Sequence, residues 1–299
     1  MFRGIVAGAL VAVAAACSEP ASFGGSGTVL RVVAGQNFWG SIATQIGGIH
    51  ANVQSVVTDP NADPHEYESN TDDARAFAQA DVVILNGAGY DTWGQKLLDA
   101  NKSSKRKVLT VADQLGKKEG DNPHFWYNPG WVATVADKIT ATFKSADSAD
   151  ASYFDQQRAS LDSSLKPYRD RIAEIKQKFS GVKIGATENI FAYLASALGL
   201  DLISPPEFMQ AVAEGNDPPA KAVAEFQNQV QQKKIKVLVY NVQTSTALTT
   251  NIRHMAAAAD IPVVGVSETL QPESATFQEW QVAQLLALEN ALNAEALVR

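Results

Sequence analysis

Two of the chain's four histidines stand in short polar loops, and each directly follows a proline. The first loop, residues 63–68, reads Asp-Pro-His-Glu-Tyr-Glu and contains His65. The second, residues 122–127, reads Asn-Pro-His-Phe-Trp-Tyr and contains His124. Proline fixes its own φ angle and restricts the residue before it, so we expect both imidazoles on a stiff backbone. A neutral imidazole is a common ligand of metal cations.

Two glutamates hold corresponding positions in the second half of the chain. Glu188 and Glu268 each lie two residues after an apolar run typical of a buried parallel strand. Ligands of open parallel sheets bind beyond the carboxyl ends of the strands. If the sheets of the two halves face each other, these glutamates meet His65 and His124. Two imidazoles and two carboxylates are a suitable ligand set for one divalent first-row metal ion.

Strand-like and helical segments alternate along the chain, and this alternation predicts an α/β fold. Such β-α-β order is typical of parallel sheets. We therefore predict two β/α domains with mainly parallel sheets and a metal site in the cleft between them. The predicted strands are residues 29–34, 53–57, 81–86, 107–111, 182–186, 201–203, 235–240 and 261–266.

A long helical segment, residues 151–179, separates the two sets of strands. Its apolar residues recur at spacings of three, four and seven, which indicates one buried face, and Pro167 is expected to kink or break it. We predict an N-terminal domain at residues 29–150 and a C-terminal domain at 181–299, joined by a spine helix at 151–180. A rigid spine predicts that metal release involves small domain tilts and loop rearrangement near His65 or His124.

The start of the chain has the pattern of a bacterial export signal. A positive charge and an apolar small-residue run predict a signal peptide at residues 1–16, and the run is too short for a membrane span. It ends at Cys17, the only cysteine, so no intramolecular disulfide is expected. Residues 14–17 resemble a lipobox with Ala14 in place of the commonest leucine, which predicts lipidation of Cys17 on a flexible tether, residues 17–28. The alternative is an ordinary cleaved signal.

The charge balance limits the class of partner. The 299-residue chain has 32 acidic and 25 basic residues and a formal net charge of −7, and its basic residues form no marked cluster. These features disfavour nucleic-acid binding.

We expect a monomer that is held by a lipid anchor in the periplasm or on the outer face of the cytoplasmic membrane.

The motifs, taken in order, resemble those of the metal-binding subunits of bacterial ABC importers of the zinc/manganese type. The similar segments are residues 63–68 and 123–126 for the family's two histidine motifs, Asn86-Gly87 with Trp93 for the loop between them, 188–193 for the third-ligand segment and 267–270 for the last motif. The resemblance extends over nearly all of the chain after the predicted tether.

The resemblance implies a ligand set and a function. It implies that His65, His124, Glu188 and Glu268 bind one divalent transition metal ion, Mn²⁺ or Zn²⁺, which is the transported ligand. It also implies that the chain is not an enzyme and that it delivers the ion to the transmembrane permease subunit of an ABC importer. Because imidazoles must be deprotonated to bind metal, affinity is expected to fall as the pH drops through about 6.5.

Departures from the family pattern leave the choice of metal open. Asn122 replaces the aspartate that usually precedes the second Pro-His pair. Glu188 stands where zinc-specialised members often have histidine, and Glu268 replaces the usual aspartate. Residues 116–122 form a short loop without histidine, whereas many zinc importers have a long histidine-rich loop there. Oxygen ligands favour Mn²⁺, yet the Irving–Williams order lets Zn²⁺ bind the same site more tightly.

Two other functions are alternatives. A metal-dependent hydrolase would use a metal-bound water with Glu66 as the base, but there is no HExxH motif and four protein ligands leave little room for the water. A surface adhesin is compatible with metal capture. We expect surface or packing roles for His50, His254, Trp93, Trp126 and Phe191, with Gln243 and Ser245 at the cleft rim.

Overall fold

The computed structural model describes residue 1 and residues 29–294, and its first half contains one parallel sheet. The elements of this half are β1 Leu30–Gln36, α1 Asn37–Gly47, β2 Ala51–Val57, α2 Thr71–Gln79, β3 Val82–Leu85, α3 Thr92–Ala100, β4 Lys107–Thr110, α4 Val111–Leu115 and α5 Pro129–Ala146. The strand order is β2-β1-β3-β4, and every neighbouring pair is parallel. All four residues of β3 are buried, which is typical of the central strands of such sheets.

Two helices, α6 Ala151–Ser164 and α7 Lys166–Phe179, form the connection to the second half. They are separated by Leu165 alone, and Pro167 lies in the first turn of α7, where its missing N–H is tolerated. The predicted long helical connection is confirmed, with its break just before the proline. Helix α6 packs against α1. The domain limits at 150, 180 and 181 stay a prediction.

The second half repeats the arrangement of the first. Its elements are β5 Lys183–Ala186, α8 Ala192–Ala197, β6 Asp201–Leu202, α9 Pro206–Ala213, α10 Ala220–Gln231, β7 Leu238–Asn241, α11 Ala247–Ala258, β8 Val263–Val266 and α12 Phe277–Ala294. The strand order is β6-β5-β7-β8, and every pair is parallel. The final helix α12 returns to pack on α7. The predicted α/β fold with two parallel-sheet domains is therefore confirmed.

One hydrophobic core runs through both halves of the molecule. The ring of Tyr127, the last residue of the second histidine loop, lies 6.1 Å from the rings of Phe191 and Trp280 in the second half. The Tyr127 hydroxyl donates to the carbonyl oxygen of Ser267 at 2.8 Å. The second histidine loop and the segment after β8 are thus packed directly on each other, which favours small movements between the halves over wide opening.

Phe154 on α6 is fully buried, and its ring lies 5.5 Å from that of Phe143. We expect Phe154→Ala to lower the free energy of unfolding by about 3–5 kcal/mol, because it removes a large side chain and leaves a cavity. Urea unfolding measures this change. Ile49→Ala, at a side chain that is 74% exposed, is the control and should stay within about 0.5 kcal/mol of the wild type. Equal losses in the two variants would contradict the packing of α6.

The predicted signal peptide and the tether that begins at Cys17 span residues 1–28. Apart from Met1, these residues lie outside the part of the chain that the structure describes. Among the residues that the structure describes, no helix combines the length and the apolar character needed to cross a bilayer.

Candidate metal centre

The two loop histidines stand beyond the carboxyl ends of strands in the first sheet. His65 is the middle residue of a 3-10 turn, Pro64–Glu66, that follows β2, and its backbone N–H donates to Asp63 Oδ1 at 2.9 Å. His124 directly precedes a second turn, Phe125–Tyr127, after β4 and α4. The Asx-type bond of Asp63 gives a local reason for the tight turn at His65.

The structure brings all four predicted ligands together. Glu188 and Glu268 lie two residues beyond β5 and β8, and one donor atom from each of the four side chains lies within 4.8 Å of the others. Nε2 of His124 is 3.3 Å from Glu188 Oε1, and Nε2 of His65 is 3.3 Å from Glu268 Oε2. Nε2 of His124 is also 3.8 Å from Glu268 Oε2. The predicted juxtaposition is observed, and metal binding by these residues stays a prediction.

Three of the converging atoms are buried without a hydrogen-bond partner among the described residues. They are Nε2 of His65, Nε2 of His124 and Oε1 of Glu188. Buried polar atoms are normally paired, because leaving one unpaired costs about 1–3 kcal/mol. Two ring nitrogens and a carboxylate oxygen that converge on one point have the chemistry of a cation site.

Asn122 fixes the orientation of the His124 ring by a hydrogen bond at Nδ1, the ring nitrogen that does not face the glutamates. Nδ2 of Asn122 donates to the carbonyl oxygen of Asn189 at 2.7 Å, so its Oδ1 faces the histidine. Oδ1 lies 2.7 Å from His124 Nδ1 and can only accept, which places the proton on Nδ1 and leaves the Nε2 lone pair free. The departure from aspartate at position 122 therefore keeps the acceptor that orients the imidazole.

Three neutral side chains donate to the glutamates, and the sequence patterns did not reveal them. The Tyr90 hydroxyl donates to Glu268 Oε2 at 2.6 Å, and Thr244 Oγ1 donates to Glu188 Oε2 at 3.0 Å. Asn241 Nδ2 donates to both glutamates. Asn241 ends a buried strand of the second sheet, so the strand-end rule that selected the glutamates also applies to it.

The loop that carries Tyr90 is held by a buried carboxylate. Asp91 accepts from the backbone N–H of Asn86 at 2.6 Å and of Gly87 at 2.8 Å, and from Gln36 Nε2 at 3.0 Å. Gly87 has a φ of 77°, which glycine adopts without strain. This arrangement fixes the backbone that positions the Tyr90 hydroxyl beside Glu268.

The charged groups of the site shift one another's protonation. Burial disfavours the imidazolium of His65, but nearby carboxylates, Glu268 foremost, outweigh burial and raise the pKa of His65 to about 9. Burial also opposes ionisation of Glu268, yet the charge of His65 foremost holds the pKa of Glu268 well below the ordinary value. Burial raises the pKa of Glu188. At neutral pH, before an ion binds, His65 and Glu268 therefore form an imidazolium–carboxylate pair.

An acidic cleft reaches the four-residue cluster at His65. Its volume is about 490 Å³, and its lining includes His65 and the acidic residues Asp63, Glu66, Asp121 and Glu214. The His65 side chain is 21% exposed, whereas His124, Glu188 and Glu268 are fully buried. Clefts lined by one sign of charge attract the opposite charge. A cation entering the cleft would meet His65 before the other three.

Gln243, which we expected at the cleft rim, is 6% exposed and joins the two halves. Its Nε2 donates to the carbonyl oxygen of Ala62, three residues before His65, at 2.7 Å. Its Oε1 accepts from the backbone N–H of Glu268 at 2.6 Å. One amide thus ties the first histidine loop to the segment that carries Glu268.

We expect Gln243→Ala to speed zinc dissociation by roughly fivefold to tenfold. An interdomain hydrogen bond contributes about 1 kcal/mol, and its loss frees the first histidine loop. Stopped-flow transfer of zinc to a fluorescent chelator measures the rate. Gln232→Ala, at an exposed position on the end of α10, is the matched control. An unchanged rate in Gln243→Ala would show that the loop is held by other contacts.

The remaining histidines take no part in the cluster. Nδ1 of His50 lies 2.6 Å from Asp150 Oδ2, and its ring packs 4.3 Å from that of Tyr153. His254 is exposed on α11. Ser245 is also exposed. Among the described residues, the four-residue cluster is the one group of histidine, cysteine and acidic side chains with metal-site spacing.

Comparisons with known proteins agree with the fold. A curated relative, the manganese ABC transporter substrate-binding lipoprotein PsaA from Streptococcus mitis, is 27% identical over 212 residues, 64% of this chain and 66% of that protein. The chain spans slightly less than two thirds of the length of such relatives. The periplasmic zinc binding protein TroA from Treponema pallidum has a TM-score of 0.75 at 16% identity, covering 89% of this chain and 99% of that one.

A second solved structure has the same fold. The SBP FpvC from Pseudomonas aeruginosa in complex with Mn²⁺ has a TM-score of 0.72 at 17% identity, covering 89% of this chain and 99% of that one. The family model described as zinc-uptake complex component A, periplasmic, matches residues 32–291, which is most of the chain. The chain belongs to the zinc-uptake complex component A family.

Proposed function

We propose that this protein captures a divalent transition metal ion, Mn²⁺ or Zn²⁺, outside the cytoplasm and delivers it to the permease of an ABC importer. The ion is the cargo, and His65, His124, Glu188 and Glu268 bind it. The observation that carries the proposal is that Nε2 of His124 and Oε1 of Glu188, both buried and without a hydrogen-bond partner among the described residues, converge with the His65–Glu268 pair.

The spacing of the donor atoms supports the proposal. Ligand atoms about 2.0 Å from a tetrahedral ion lie about 3.3 Å from one another. The two closest histidine–glutamate pairs are each separated by 3.3 Å. Two carboxylates also balance the charge of a divalent cation, and buried charges are tolerated when they are balanced and paired. The other ligand atoms lie up to 4.8 Å apart, so binding a small divalent ion would draw these side chains together by about 1 Å.

The family to which the chain belongs bears on whether the chain is an enzyme. It consists of solute-binding proteins, which are non-enzymatic transport components, so the expectation that the chain is not an enzyme is confirmed. Relatives named as substrate-binding lipoproteins of manganese ABC transporters support delivery to a permease. The proposal includes an export signal at residues 1–16, lipidation of Cys17, a monomeric state and a location in the periplasm or on the outer face of the cytoplasmic membrane.

Metal analysis tests the proposal. Protein purified without added metal, and the same protein after titration with Zn²⁺ or Mn²⁺, should contain up to one equivalent of ion per chain. Competitive titration of the wild type against Glu188→His should shift the preference further toward Zn²⁺, because imidazole replaces an oxygen ligand. The absence of stoichiometric metal under both conditions would overturn the proposal.

A further inference from the structure

Asn241 lies between the two glutamates of the metal centre. It is the last residue of β7, which pairs with β5 on one side and β8 on the other. Glu188 and Glu268 follow these two flanking strands, so the carboxyl end of β7 stands between them. The Asn241 side chain is buried, with 1% of the residue exposed.

The amide of Asn241 bridges the two carboxylates. Its Nδ2 donates one hydrogen bond to Glu188 Oε2 and another, of 2.9 Å, to Glu268 Oε1. Its Oδ1 accepts from the backbone N–H of Gln243 at 3.1 Å. This set fixes the orientation of the amide, because the flipped orientation would place its oxygen against two carboxylates and its NH₂ group against an N–H.

These bonds occupy one oxygen of each glutamate. On Glu188, Oε2 accepts from both Asn241 and Thr244, while Oε1 has no hydrogen-bond partner within residues 29–294 and lies 3.3 Å from the ring nitrogen of His124. On Glu268, Oε1 accepts from Asn241, and Oε2 is the oxygen that faces the histidines. Tyr90 also donates to that Oε2, but a carboxylate oxygen has a second lone pair. Each glutamate thus presents one oxygen to the centre of the cluster.

We infer that Asn241 is a specificity-determining positioning residue that holds each glutamate to a single ligand oxygen and thereby favours Zn²⁺ over Mn²⁺. Two nitrogens and two oxygens complete the tetrahedral shell that Zn²⁺ adopts. Mn²⁺ favours an oxygen-rich octahedral shell, which bidentate carboxylates would help to supply. By holding the second oxygen of each glutamate in a hydrogen bond turned away from the centre, Asn241 disfavours the bidentate mode, which would supply Mn²⁺ with up to two more oxygen donors. This inference rests on the proposed function of metal capture.

Competitive titration of the purified protein with Zn²⁺ and Mn²⁺ tests this role. In Asn241→Leu the amide bonds are lost, so Glu188 Oε2 keeps only the bond from Thr244 and Glu268 Oε1 loses the bond that holds it away from the centre. We expect the ratio of the Mn²⁺ dissociation constant to the Zn²⁺ dissociation constant to fall by about tenfold or more, in the range usual for residues that orient metal ligands. Asn251→Ala, at an exposed asparagine on α11, is the matched control and should keep the wild-type ratio. A parallel loss of both affinities in Asn241→Leu, with the ratio unchanged, would overturn the inference.

X-ray absorption of the zinc-loaded wild type gives a readout that does not depend on the folding of a variant. The inference predicts four nitrogen or oxygen donors at about 2.0–2.1 Å. Five or six donors, with either glutamate bidentate, would overturn it. A wild type that binds no metal would refute the proposed function itself. A wild type that binds metal with an unchanged ratio in Asn241→Leu would refute the role of Asn241 alone.

Discussion

Replacing His124 with alanine is expected to weaken zinc binding by about a hundredfold. Four-ligand zinc sites bind with about 10–16 kcal/mol, so one ligand contributes roughly 3 kcal/mol, or about two orders of magnitude. His124 is fully buried, its Nε2 has no hydrogen-bond partner among the described residues, and Asn122 fixes its ring. Loss of this imidazole therefore removes a ligand nitrogen that is already oriented toward the centre of the cluster. None of the other described side chains would replace it at the same distance. Competition against a chromophoric chelator measures the dissociation constant.

The matched control is His254→Ala, because His254 is an exposed histidine on a helix of the second domain. Its zinc affinity should equal that of the wild type. Circular dichroism and urea unfolding of the metal-free proteins would show whether His124→Ala keeps the fold. If a folded His124→Ala bound zinc as tightly as the wild type, the assignment of His124 as a ligand would be wrong.

We expect protonation of His65 alone to lower the zinc affinity about tenfold for each pH unit below about 9. The carboxylates around His65 raise its pKa to about 9, so the metal-free protein carries a proton there at neutral pH. Zinc must displace that proton, because only the neutral imidazole binds metal. Lower pH therefore opposes binding, and above pH 9 this dependence disappears. Between pH 8 and pH 6 the dissociation constant should rise about a hundredfold.

Isothermal titration in buffers of different ionisation enthalpy counts the protons released on binding. The wild type should release about one proton from His65 at pH 7, and His65→Asn should release about one fewer. The sequence alone placed this competition below about pH 6.5, the ordinary range of histidine. The higher range follows from the carboxylates beside His65, Glu268 foremost, which outweigh the opposing effect of burial. A zinc affinity that stays constant from pH 8 to pH 6 would contradict the position of His65.

Protonation of His65 also affects the metal-free fold. Its raised pKa means that the charged pair with Glu268 stabilises the folded protein fully below the pKa of an unfolded histidine, about 6.5. This contribution is lost as the pH rises through about 9. The same proton that competes with metal therefore helps to stabilise the empty binding site at neutral pH.

The strand-end rule, together with the two Pro-His motifs, explains why the four candidate ligands could be selected from the sequence. In parallel sheets, all carboxyl ends lie on one edge, so residues far apart in sequence, such as His65 and Glu268, meet once two such edges face each other. The rule needs only the order of the strands, which continuous apolar runs make visible. The same rule could have selected Asn241, but a neutral amide is not among the usual ligands of Zn²⁺, so its position alone did not mark it as part of the site.

Other features were beyond the sequence patterns. Helices α4, α5 and α9 were not predicted, and Val111, which was assigned to the strand at 107–111, begins α4. Asn128 before Pro129 is nevertheless a helix-start signal that the structure uses as the cap of α5. The hydrogen bonds of Tyr90 to Glu268 and of Gln243 to Ala62 connect residues far apart in sequence. Such contacts depend on how the two halves pack together, and local periodicity carries no information on that packing.

Anomalous diffraction tests the four-residue metal centre most directly. Crystals grown with Zn²⁺ and measured above and below the zinc absorption edge would locate the bound ion without assumption about its ligands. One strong peak per chain is predicted, within bonding distance of His65, His124, Glu188 and Glu268. A single peak elsewhere, or no peak at that point in crystals of metal-saturated protein, would contradict the proposed site.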